Sequence, residues 1–170
     1  EHCFAEYHTH AAASNYFPQR SVRTQRYKLI ENLLPSEVHP NEVHPDYDKT
    51  FSKLEKDAAG RGIADRLDLH TVVAQADPTV KQAYARMRQP PRYELYDLEH
   101  DPHEFHNLAE APEYSEVFLE LQSALTAWRE QTRDPLLHPD HLRRLTKEVR
   151  SVKNKSAARK HNWGYPDYFF

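Results

Sequence analysis

The chain has 170 residues with 23 Lys/Arg against 26 Asp/Glu, a formal net charge of -3 and a mean hydropathy of -0.93. That length suits one domain with a real core, and no apolar run reaches the length of a membrane span. One cysteine excludes an internal disulfide framework. With only Gly60, Gly62 and Gly164, there is no phosphate-cradling glycine loop and no nucleophile elbow of the G-x-S-x-G kind.

Alternation around Phe4 in Cys3-Phe-Ala-Glu-Tyr7 predicts a first strand, with Cys3 read as a small buried thiol. A polar loop carrying His8 and His10 follows and ends at Pro18. Histidines two apart on an extended chain point the same way, which suits an anion or a metal, and Asn15 and Arg20 add donors for an anion. The plainer reading is a polar loop that happens to carry two histidines. Arg20 to Leu34 reads as a hairpin, Ser21–Thr24 and Tyr27–Glu31 around a Gln25-Arg26 turn. Tyr27 and Leu29 share one face, and Lys28, Ile30 and Asn32 the other. Its Arg/Lys content suits an exposed face or an edge.

From Pro35 to Pro91 the chain leaves the sheet as an irregular, partly helical insertion. Glu37-Val-His-Pro40 is echoed by Glu42-Val-His-Pro45, too short a unit for a repeat architecture. Phe51-Ser-Lys-Leu54 starts a candidate short helix. Asp77 as cap and Pro78 in the first turn predict another, with Val80 and Tyr84 as its apolar pair.

Tyr93–Leu98 is short, aromatic and apolar, a strand that Asp101-Pro102 stops. His100, His103 and His106 lie in the turn, where Pro102 prevents a shared helical face, so turn solvation outweighs metal binding. Asn107 is placed to hydrogen-bond backbone while Leu108 anchors the turn. Tyr114, Phe118, Leu121, Leu125 and Trp128 then recur at steps of four, three, four and three, one stripe on a helix over Pro112–Arg133. The expected fold is α+β: an antiparallel sheet of about four strands with this long helix on one face.

Residues 140–161 hold eight Lys/Arg against Asp140 and Glu148, a local excess of six positive charges. Leu142, Leu145 and Val149 suggest a short amphipathic helix. The segment reads either as a solvated terminal tail or as a surface for a sulfated polysaccharide or other polyanion. Trp163, Tyr165, Tyr168, Phe169 and Phe170 make its end aromatic.

Several of these runs together resemble a known family. Glu94-Leu-Tyr-Asp-Leu98, Asp101-Pro102-His-Glu104 and Asn107-Leu-Ala109, followed by the helix, resemble the closing segment of the sulfatases. Leu125-Thr-Ala-Trp128 with Thr132-Arg-Asp-Pro135 is similar to the N-sulfoglucosamine sulfohydrolase (sulfamidase) branch. Tyr16-Phe-Pro-Gln-Arg-Ser-Val-Arg23 and Arg26-Tyr-Lys-Leu-Ile30 look like strands opening the same C-terminal subdomain. The resemblance runs from about Phe4 to Pro139, with a basic, aromatic-ended tail over 140–170. It implies an alkaline-phosphatase-like catalytic domain upstream, a sulfated carbohydrate substrate, and secreted, periplasmic or lysosomal relatives. It also implies Ca²⁺ and a formylglycine nucleophile in the parent family, both belonging to motifs absent from these residues. Cys3 is followed by Phe4, Ala5, Glu6 and Tyr7, not by the formylglycine motif. The chain opens on Glu1 and enters apolar sequence at once, so it reads as a fragment or excised domain. The expected function is therefore that of a sulfatase C-terminal subdomain, inactive alone, without catalytic residues or cofactor of its own. His8, His10 and Arg20 are its candidate substrate contacts, by the resemblance and by their chemistry. No metal ligand, nucleic-acid partner or membrane partner is expected. The competing reading is a non-enzymatic module that binds a polyanion or a protein.

Overall fold

The structure, a computed structural model, describes residues 1–9, 16–38, 73–152 and 155–169. His10, Asn15, both His-Pro steps, the Phe51–Leu54 helix candidate and most of the insertion lie outside them. Four strands, β1 (Cys3–Thr9), β2 (Tyr16–Arg23), β3 (Tyr27–Asn32) and β4 (Tyr93–Asp97), form one antiparallel sheet in the order β1-β2-β3-β4. Helix α1 (Pro78–Arg88) precedes β4, and α2 (Ser115–Gln131), α3 (Pro139–Ser151), α4 (Lys155–Lys160) and α5 (Pro166–Phe169) follow it. The architecture is α+β, as expected.

Register sorts the side chains into two faces, because alternate residues point to opposite sides. On the first face, Phe4, Val22, Leu29 and Leu95 line up across the four strands. The helical stripe meets that row: Leu121 and Leu125 are buried against Val22, Leu29 and Leu95, with Tyr114, Phe118 and Trp128 packed around them. Trp128 stacks on Phe4 at a 5.1 Å centroid separation. A 3-10 turn at Pro112–Tyr114 leads into α2, where the missing proline N–H is not needed.

Asn107 does more than bond its own turn. Its Oδ1 accepts from the Leu95 N–H at 2.9 Å and the Ala109 N–H, and its Nδ2 donates to the Tyr93 carbonyl. The Leu108 N–H donates to the Leu95 carbonyl at 2.8 Å. The Asn-Leu-Ala run thus supplies the outer partners of β4, closing an edge that would otherwise offer unpaired backbone.

Three sequence expectations are corrected. Cys3 is exposed, not buried: Phe4 turns toward α2, so Cys3 turns to the second face, which β1 leaves open. The β2–β3 hairpin is central in the sheet, and its Arg20 is buried instead of coating an exposed edge. The basic segment after residue 139 is folded, because Leu145 and Val149 pack with Tyr16 and Leu136 into a second core. Helix α1 forms with Asp77 capping the Thr79 N–H, yet it buries no residue fully and Val80 stays exposed.

Candidate functional site

The site is built on the second row of the first sheet face, where Glu6, Arg20, Glu31 and Tyr93 lie side by side across the strands. Arg20 is 0% exposed, and a buried guanidinium must have its donors satisfied. Its Nε and Nη2 form a bidentate pair with Asp134 at 2.8 and 2.6 Å. Nη1 donates to the carbonyls of Gln19 and Tyr7, and Nη2 also donates to His8 Nε2 at 3.0 Å. All five N–H groups are thereby used within the protein.

Asp134 sits just beyond α2, where it caps the Pro135–Leu137 turn through the Leu136 N–H and accepts from Arg129 Nε at 2.7 Å. Arg129 Nη1 in turn donates to Glu31 at 2.6 Å, and Glu31 receives Arg92 and the Tyr93 hydroxyl. Burial alone would push the Asp134 carboxyl up, but the hydrogen bonds and charges of Arg20 and Arg129 bring it below the usual carboxylate range.

His8 lies at an irregularity in the β1–β2 ladder. Pairing is regular to Tyr7↔Gln19 and resumes at Thr9↔Tyr16, so one residue of β1, His8, stands against two of β2, Phe17 and Pro18. Pro18 occupies the slipped step, and proline has no N–H to give a ladder. Such bulges re-aim side chains, and here the His8 ring meets Arg20. Because arginine can only donate, His8 Nε2 accepts and the neutral ring carries its proton on Nδ1. Burial, and then the Arg20 charge, lowers the His8 pKa. Its Nδ1–H has no protein partner among the described residues. His8 is thus a neutral donor held by a rigid sheet.

Of the residues singled out from sequence, the structure brings His8 and Arg20 into direct contact, and His10 lies outside the described residues. Arg20 has no donor left for an outside anion; its contact with the site runs through His8. Asp134, Arg129 and Glu31 had no signal of their own, except that Asp134-Pro135 marked a helix end.

Two other clusters hold titratable groups. Among the described residues, Asp97, Glu99 and His100 are the one group spaced to hold a metal. The Asp97 carboxylate there is already paired with Arg26 and takes the His100 Nδ1–H, so the set does not suit a Ca²⁺ ion. A cavity of about 300 Å³ lies between the second sheet face and α1, lined by Phe17, Ile30, Arg86, Met87, Glu94 and Tyr96 among others. Its polar groups are turned on one another: Asn32 and the Tyr96 hydroxyl donate to Glu94, and Arg86 donates to Tyr96.

No protein-family model matches the chain. Curated relatives do. Human (Homo sapiens) N-sulphoglucosamine sulphohydrolase is 28% identical over 128 residues, covering 75% of this chain and 22% of that protein. An ulvan-active sulfatase of Formosa agariphila is 27% identical over 123 residues, 72% of this chain and 19% of its own length. Among solved structures, BT4656 with its substrate D-glucosamine-2-N,6-O-disulfate aligns at 17% identity over 79% of this chain and 16% of its own, with a TM-score of 0.40. A 2-O GAG sulfatase aligns at 19% over 97% and 21%, with a TM-score of 0.41. Neither superposition is close enough to carry an argument, and the relationship rests on the sequence alignments. The fold is a small α+β unit, and the chain is related to the sulfatases through their C-terminal part. N-sulphoglucosamine sulphohydrolase is among these relatives, and the chain spans about a fifth of the length of each curated relative named here.

Proposed function

We propose that the chain is the C-terminal subdomain of a hydrolase acting on a sulfated carbohydrate, completing the substrate pocket of an upstream catalytic domain and inactive without it. The observation that carries this reading is His8: a neutral imidazole at a ladder irregularity, its Nδ1–H unpartnered among the described residues, two positions ahead of His10. A sulfate oxygen or a sugar hydroxyl at a pocket mouth is met by donors of this kind. His8 and His10 are the contacts in this proposal, and Arg20 is a positioning residue that orients His8. One relative, the human N-sulphoglucosamine sulphohydrolase, takes its name from an N-sulfated glucosamine. The nucleophile and Ca²⁺ implied by the resemblance belong, on this reading, to the catalytic domain.

The test uses the intact parent enzyme. His8→Ala should lower kcat/KM for the sulfated sugar, and His8→Gln, which can still accept from Arg20, should keep stability while losing most of that contact. Unchanged kinetics in both variants would return His8 to a purely structural part. The 170-residue chain alone should not turn over an aryl sulfate; turnover abolished by Cys3→Ala would overturn the reading.

A further inference from the structure

We propose that Arg144, Tyr168, His141 and His138, beside His8, form a second binding subsite for a sulfated saccharide. The proposal rests on the functional reading above and extends it to residues that reading does not use.

His138 precedes α3, and His141 and Arg144 follow at a three-residue spacing on one flank of the helix. The C-terminal turn α5 folds over that flank, its Tyr168 and Phe169 N–H groups donating to the Tyr165 carbonyl. Tyr165 and Phe169 pack into the second core, whereas Tyr168 takes the Arg144 guanidinium over its ring at 4.2 Å. The His141 ring lies 5.6 Å from Tyr168 and 6.2 Å from Phe169, and His138 stacks on His141 at 4.7 Å. Phe169 meets His8 edge-on at 6.2 Å. A continuous array of rings therefore runs from His8 to His138.

The chemistry of the array is that of sugar and sulfate together. Ring faces pack on the C–H face of a pyranose, and a guanidinium offers a planar fork to sulfate oxygens. Arg144 makes no ion pair among the described residues, in contrast to Arg143, which is paired with Asp140. His141 Nδ1 donates to the Pro135 carbonyl at 3.0 Å, leaving Nε2 uncommitted among the described residues. The Glu148 carboxylate accepts from the Gly164 N–H, from His161 and, at 3.4 Å, from the Tyr168 hydroxyl, so its negative charge is held on the protein side of the array and Arg144 is the group left to meet a sulfate. Asp167 is the exposed acid in the same turn.

Calorimetric titration of the 170-residue chain with a heparin-derived tetrasaccharide, and with its desulfated counterpart, tests this. Arg144→Ala should weaken tetrasaccharide binding about tenfold, as loss of a charge-assisted pair does. Tyr168→Leu should weaken it severalfold, with circular dichroism confirming the fold. Lys147→Ala, an exposed cation on the same helix, should change little. Equal losses in Arg144→Ala and Lys147→Ala would mean diffuse polyanion attraction and overturn the subsite, as would equal affinity for the desulfated sugar. Binding lost in Arg144→Ala with unchanged His8→Gln kinetics in the parent would leave the subsite standing and sink the His8 reading. The reverse pair would sink the subsite alone.

Discussion

Two adjacent rows on one sheet face are held by opposite means. Phe4, Val22, Leu29 and Leu95 meet the α2 stripe through apolar burial, while in the next row Arg20 and Glu31 meet Asp134 and Arg129 through charge. An apolar contact tolerates loss by partial collapse, with a cost graded by the void left. A buried charge does not, because its partner is stranded out of water. The second row therefore behaves as a rigid bracket, and His8 is attached to the bracket, not to the apolar half.

The largest expected effect lies in that bracket. Asp134→Ala removes the shared acceptor of Arg20 and Arg129 and should cost about 3–5 kcal/mol in urea denaturation. Asp134→Asn keeps the shape but not the charge, and should fall between. Since the folded carboxyl titrates below its unfolded value, its contribution is present above the ordinary aspartate range and is lost as pH falls through the lowered value. A loss under about 1 kcal/mol for Asp134→Ala would show that the two rows do not differ in kind.

On the apolar row, Leu125→Ala should cost about 3 kcal/mol and Trp128→Ala about as much or less, because Trp128 is only partly buried. If Trp128→Ala proved costlier than Asp134→Ala, the Phe4 stack and not the bracket would be the principal tie between sheet and helix.

The apolar row was legible in sequence for a physical reason. Spacings of three and four in Tyr114–Trp128, and alternation in Tyr27–Asn32, are local consequences of helix and strand geometry. The bracket joins Arg20 to Asp134, 114 positions apart, and no local period encodes that. Taken alone, Arg20 in a strand rich in Arg and Lys reads as exposed, and Asp134 before a proline reads as a helix stop. Only their meeting makes either one a core residue. The same holds for the C-terminal segment. Its Leu142, Leu145 and Val149 marked a helix, but the Tyr16 surface that helix covers was not visible, so a docked α3 was read as part of a solvated tail. His8 and His10 stood out by residue type, and the resemblance to sulfatases drew on several runs, Asn107-Leu-Ala109 among them. That run proves to be an edge closure, and neither local signal revealed that Arg20 holds the imidazole.

The smallest effect concerns that imidazole, and it separates the two means of support most finely. From sequence alone, a histidine contact with an anion should be strongest when protonated and weaken as pH rises through about 6.5. The bracket reverses this. Arg20 donates to His8 Nε2, so protonating that nitrogen breaks the bond and sets two cations together, in keeping with the lowered pKa. A histidine whose folded pKa is depressed contributes stability above its unfolded value, lost as pH falls through the folded one. The donor available at neutral pH is Nδ1–H, and it remains on the ring as pH rises. In the parent enzyme, the ratio of kcat/KM between wild type and His8→Gln should therefore stay level from about 6.5 upward and change only below it. A ratio that declines steadily as pH rises through that value would identify the imidazolium as the active form. The His8 ring would then have to leave Arg20 when substrate binds, and the bracket would support the sheet without orienting the site.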